Sequence, residues 1–105
     1  MPRLPFITIP GLGLKVLIDS GASDSIMNPG PAYDNFKHYI FQKPFTIKSL
    51  TQTITSNENI SYPILQEFGI DHQVDFHILK WHDRFDALLG SDDFHKLGVK
   101  IDYKT

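Results

Sequence analysis

The sequence contains no cysteine. That excludes disulfides, thiolate nucleophiles and cysteine-based metal sites, and it fits an intracellular compartment. No run approaches the roughly 20 apolar residues that cross a bilayer. The opening Met1-Pro2-Arg3-Leu4-Pro5 lacks the apolar stretch of a secretory signal. A soluble, unsecreted protein is therefore expected, with no membrane partner. Charge of one sign is missing too: ten Lys and Arg stand against twelve Asp and Glu, a formal net charge of -2. With no basic block to follow a phosphate backbone, nucleic acid is not an expected partner. Internal repeats and low-complexity linkers are absent as well. Any chemistry must come from Asp, Glu, His, Ser or Lys.

What is present fits one domain spanning 1–105. Its 41% hydrophobic and 21% charged residues are incompatible with wholesale disorder. A domain this small buries a modest share of its surface, so stabilisation by a partner would be in keeping.

The pattern along the chain is mainly β. Phe6-Ile7-Thr8-Ile9 is a β-rich run, and Pro10-Gly11-Leu12-Gly13 reads as a turn into a second strand, Leu14-Lys15-Val16-Leu17-Ile18. That strand stops at the polar, small-residue loop Asp19-Ser20-Gly21-Ala22-Ser23. Ile26-Met27 is short, and Asn28-Pro29-Gly30-Pro31 reads as a break. The β-branched stretch from Phe45 to Thr55, with Ile60 to Leu65 after it, predicts a long hairpin whose tip falls between Ser49 and Asn59. Val74 to Leu79 predicts another strand. After Leu88-Leu89-Gly90, Ser91 is placed to cap a short helix through Leu97 that ends at Gly98, the only helix expected. Val99-Lys100-Ile101-Asp102-Tyr103 alternates like a closing strand.

A carboxylate directly after a buried strand is an unusual place for a structural residue. An isolated Asp-Ser-Gly is nonetheless weak evidence, since a turn aspartate gives the same triplet. The context adds weight: Val16-Leu17-Ile18 precedes Asp19-Ser20-Gly21, Ala22 follows, and Leu88-Leu89-Gly90 opens a helix near the C-terminus.

This ordering resembles the retropepsins, the aspartic proteases of retroviruses and retrotransposons, over nearly the whole chain. Phe85-Asp86-Ala87-Leu88-Leu89-Gly90-Ser91-Asp92 looks most like the Ty3/gypsy-type retrotransposon and insect endogenous retrovirus members. The resemblance implies an all-β, closed barrel-like fold with one lobe per subunit and a short C-terminal helix. It implies a homodimer in which Asp19 of each subunit is catalytic, an aspartic endopeptidase that needs no cofactor or metal. Its substrate would be a Gag-Pol type polyprotein, and its location the cytoplasm or virus-like particles. Ser20, Gly21, Ala22, Leu88, Leu89 and Gly90 would support the active site, while Ser23, Asp24 and a flap tip at Ser49, Leu50 and Thr51 would bind substrate. Three departures stand out. Ser23 and Ser91 replace an acidic residue and an arginine that pair in many retroviral members, and the usual flap glycines are missing.

Other groups have plainer readings. His72, His77 and His82 are five apart, a spacing that matches no compact zinc pattern, so these histidines, with His38 and His95, are read as solvated or hydrogen-bonded. Tyr33, Phe36, Tyr39, Phe41 and Trp81 are assigned to core or subsite walls. Asp92-Asp93 is explained by the helix dipole. Against the protease stands a second function of a different class: a weak or inactive host-adopted module that dimerises or binds peptides.

Overall fold

A computed structural model of the chain describes residues 5–98. They form β1 (Phe6–Ile9), β2 (Leu14–Asp19), β3 (Ser25–Met27), α1 (Pro29–Phe36), β4 (Ile40–Lys48), β5 (Thr53–Tyr62), β6 (Val74–Ile78), β7 (Ala87–Gly90) and α2 (Ser91–Lys96). The strands make one mixed sheet in the order β1-β2-β7-β3-β6-β5-β4. Among the described residues the sheet is open, with β1 and β4 as its edges and no ladder joining them. No described helix is long and apolar enough to cross a membrane.

The predicted first hairpin forms, with Phe6 opposite Leu17 and Ile9 opposite Leu14. Gly13, at φ +63°, closes its turn in the left-handed region that favours glycine. Val16-Leu17-Ile18 in β2 reads as a continuous apolar run because that part of the strand is buried on both faces. Val16 and Ile18 join the main core with Met27, Phe36, Ile60, Phe76 and Leu89, whereas Leu17 packs on the other side with Phe85 and Leu88. Fully burying one such aliphatic side chain contributes about 2 kcal/mol. β7 lies between β2, to which it is parallel, and β3, to which it is antiparallel. The end of β2 and the start of α2 are thereby brought side by side.

Two expectations about helices are corrected. Asn28-Pro29-Gly30-Pro31 does not end regular structure, because α1 begins at Pro29 and a second helix exists. The first turn of a helix leaves its N–H groups without intrahelical acceptors, so prolines at 29 and 31 forfeit nothing there, and the ring suits the required φ. Ala32 and Phe36, four apart, bury that helix against the core. In α2, Ser91 is the first helical residue rather than the cap; Gly90 occupies the N-cap, and no side chain caps the helix. The Ser91 N–H is already taken by the carbonyl of Ala22 at 2.7 Å. Past the end of α2, Gly98 stands at φ +72°, a backbone conformation that explains the expected stop there. The strand expected over 99–103 lies outside the described residues.

Candidate functional site

Asp19 is the last residue of β2, half-buried and in register with Gly90 of β7. The chain turns sharply after it: the Gly21 N–H donates to Asp19 Oδ1 at 2.8 Å, and the Ala22 N–H donates to the Asp19 carbonyl at 3.3 Å. A Cβ at Gly21 would stand 3.2 Å from Asp19 Oδ1 and crowd the carboxylate. Ser20 is exposed at this turn. Ala22 packs on the cluster of Leu17, Phe85 and Leu88, and Leu89 lies fully within the main core.

The loop is fastened to β7 and α2 from several sides. Besides the Ser91 to Ala22 bond, the Asp92 N–H reaches the Ser23 carbonyl at 3.4 Å. Ser25, 2% exposed, donates its hydroxyl to Asp93 Oδ2 at 2.5 Å and accepts the Gly90 N–H at 3.0 Å. Asp93 thus does more than meet a helix dipole. Its link to Ser25 spans 68 residues, a separation at which local pattern carries no signal. Ser25→Ala strands the buried Gly90 N–H and removes a charge-assisted bond. A loss of about 2–3 kcal/mol in chemical denaturation is expected, and an unchanged midpoint would contradict it.

Above the loop passes the hairpin of β4 and β5. Its tip is Ser49–Gln52, at the early end of the expected range, since Lys48 pairs with Thr53. Ser49 closes the tip: its N–H donates to the Gln52 carbonyl at 2.8 Å, and its Oγ accepts the Gln52 N–H at 3.2 Å. No non-glycine residue among those described has positive φ, so this turn needs no glycine. Pro44 falls where the ladder skips between Gln42 and Phe45, on an edge strand that tolerates a missing donor. A cleft of about 500 Å³ lies between hairpin and loop, lined by Gly21, Ala22, Ser23, Asp24 and Ile26 on one side and Thr46, Ile47 and Lys48 on the other. Of the residues expected to bind substrate, Ser23 and Asp24 line it. Ser49, Leu50 and Thr51 do not; they stand exposed at the tip. Thr46 and Ile26 are additions that only the strand register identifies.

Other polar groups buttress the site. Asn28, buried, donates to the carbonyls of His82 and Phe85 at 2.7 and 2.8 Å and accepts the Trp81 N–H at 3.0 Å, anchoring the segment before β7. Asp86 Oδ2 accepts the Lys15 N–H at 2.8 Å. His77 stacks on Phe45 with ring centroids 3.9 Å apart, and its Nδ1 lies 2.7 Å from Asn59 Oδ1. Among the aromatics, Phe36 is core and Trp81 half-buried, but Tyr33, Tyr39 and Phe41 are exposed, and the Tyr33 hydroxyl donates to Glu58.

Compared with family models and with curated proteins, the sequence matches none. Chemically, the site offers a carboxylate held at a strand end, next to a loop with small side chains and a cleft of about 500 Å³.

Proposed function

We propose that the chain is one subunit of a homodimeric aspartic endopeptidase of retropepsin type. The observation that carries this reading is Asp19 held at the end of β2 by the Gly21 N–H, opposite Gly90, beside a cleft covered by a hairpin. One such carboxyl per chain is half of a catalytic pair. Two loops related by a two-fold axis supply both halves, and the barrel closed by one lobe per subunit belongs to the same reading.

Two carboxyls about 3 Å apart cannot both ionise, so they share one proton, as in the known aspartic protease dyads. The ionised partner takes a proton from a water molecule as its oxygen attacks the peptide carbonyl carbon. The protonated partner gives its proton to the carbonyl oxygen. Collapse of the resulting gem-diol breaks the C–N bond: the carboxylate now ionised takes a proton from one of its hydroxyls, the other carboxyl gives its proton to the leaving amine, and the dyad again holds one proton. Small residues at Gly21 and Ala22 leave room for substrate backbone, which binds extended in the manner of an added strand. The substrate class is a polyprotein of Gag-Pol type, cut in the cytoplasm or in virus-like particles.

A second reading, a dimerising or peptide-binding module without turnover, is favoured by the hairpin tip, which Ser49 braces with its own side chain where a mobile flap would use glycine. A transition-state analogue separates the two. A statine peptide is expected to bind at least about 100-fold tighter than the matched substrate peptide. Equal affinities would overturn the protease reading in favour of the module.

A further inference from the structure

His77 stands where three parts of the site meet. On β6 it is in register with Asn59 of β5 and with Ile26 of β3, between the base of the hairpin and the loop that follows Asp19. Asn59 Nδ2 donates to the carbonyls of Lys43 and Asn57 at 2.9 and 3.2 Å, which identifies Oδ1 as the acceptor facing the ring. The His77 Nδ1 at 2.7 Å must therefore carry the hydrogen. In the neutral ring this leaves Nε2 bare, and Nε2 lies 4.0 Å from Asp24 Oδ1. The stack on Phe45 holds the ring in this orientation.

A bare imidazole nitrogen and a carboxylate oxygen are two acceptors with no hydrogen between them. One ammonium or guanidinium nitrogen can stand at hydrogen-bond distance from both, about 2.8–3.0 Å from each. Asp24 is 54% exposed and lines the cleft, and His77 is 25% exposed. We infer that Asp24 and His77 form a subsite for a lysine or arginine side chain, open while His77 is neutral and closed when Nε2 takes a proton and bonds Asp24 instead. This rests on the cleft being the peptide site proposed above.

The charges around the ring agree with this. Burial pushes the His77 pKa down, opposed by Asp24 from the loop, Asp75 from its own strand and Asp93 from α2. Asp93 already accepts the Ser25 hydroxyl, and Asp24 is the carboxylate that lines the cleft. Because the folded value is depressed, an unfolded histidine, near pH 6.5, protonates first. Stability from the neutral ring is complete above that pH and is lost as pH falls through it toward the folded value. A cation bound at Asp24 cancels the pull of that carboxylate and lowers the His77 midpoint further; by linkage, protonation of His77 weakens the cation's binding by the same factor. Lys48 is the other charged residue lining the cleft, and any repulsion it exerts is common to all the variants compared.

The test follows the His77 imidazole by NMR. Butylammonium alone is expected to lower its midpoint in the wild-type protein and to have no effect in Asp24→Asn, while tetramethylammonium, which has no N–H, does nothing in either. A midpoint unmoved by butylammonium, or moved equally in Asp24→Asn, overturns the subsite whatever peptides do. Extended hexapeptides with a reduced central bond, carrying lysine or norleucine in turn at each flanking position, are then compared one pH unit above and below that midpoint. At one position lysine is expected to bind about tenfold tighter at the higher pH and to lose that advantage at the lower. Asp24→Asn is expected to bring the two sets level. A lysine preference independent of pH overturns the proton gate. If no peptide of either kind binds while butylammonium still shifts the midpoint, the subsite stands and the peptide-cleft reading is the one that fails.

Discussion

Asp19→Asn is expected to abolish peptide cleavage, with a fall in kcat of at least about 10^4-fold, because neither loop of the proposed dimer then carries a group able to take a proton from water. Folding should survive. Asparagine keeps an oxygen that can accept the Gly21 N–H now held at 2.8 Å by Asp19, so only the charge of that bond is lost, about 1 kcal/mol. A preparation that folds normally and still cleaves would remove Asp19 from the chemistry. The same variant tests the pairing of subunits. With a ninefold excess of Asp19→Asn chains and random exchange, only about one wild-type chain in ten has a wild-type partner, so activity per wild-type chain should fall about tenfold. If each chain were an enzyme by itself, that activity would be unchanged.

Much of this geometry was legible in the sequence where the pattern is local. Phe6 to Ile18 announced a hairpin through β-branched runs and a glycine turn, and Phe45 to Leu65 announced the second, though not that β4 starts as early as Ile40. Asp19 was legible because a carboxylate ending an apolar strand breaks the strand's own logic. Less was legible where one residue type has two meanings. Pro29 and Pro31 terminate a helix from within but begin one without cost, and only the burial of Ala32 and Phe36 decides between these. Least legible were the polar groups that hold the loop. Ser25 with Asp93, Asn28 with the carbonyls before β7, and His77 with Asn59 join residues remote in sequence, and each looks like an ordinary surface residue until the sheet order brings its partner near.

Gly90→Ala is expected to be among the most damaging single-methyl additions to the described fold. The reason is space rather than backbone conformation, since Gly90 sits at φ -82°, which any residue adopts. A Cβ there would lie 2.4 Å from the Asp24 carbonyl oxygen, 2.6 Å from its carbon and 2.7 Å from the Ser23 oxygen. All three are backbone atoms, so no side chain can swing aside; the loop itself must move off β7. It is tied there by the Ser91 to Ala22, Asp92 to Ser23 and Gly90 to Ser25 bonds, and shifting it strains or breaks them together. Overpacking of this kind costs about 1–3 kcal/mol, and the three bonds, strained or broken together, about 2–3 kcal/mol more, giving about 3–6 kcal/mol in all. For a domain whose whole stability is of order 5–15 kcal/mol, that corresponds to a fall in Tm of about 12 °C or more. Thermal denaturation of the variant and the wild type at one protein concentration reads the loss. A Gly90→Ala protein melting within about 2 °C of wild type would mean that the loop after Asp19 does not rest on β7 as described, and with it the placement of Asp19 opposite Gly90 would fall.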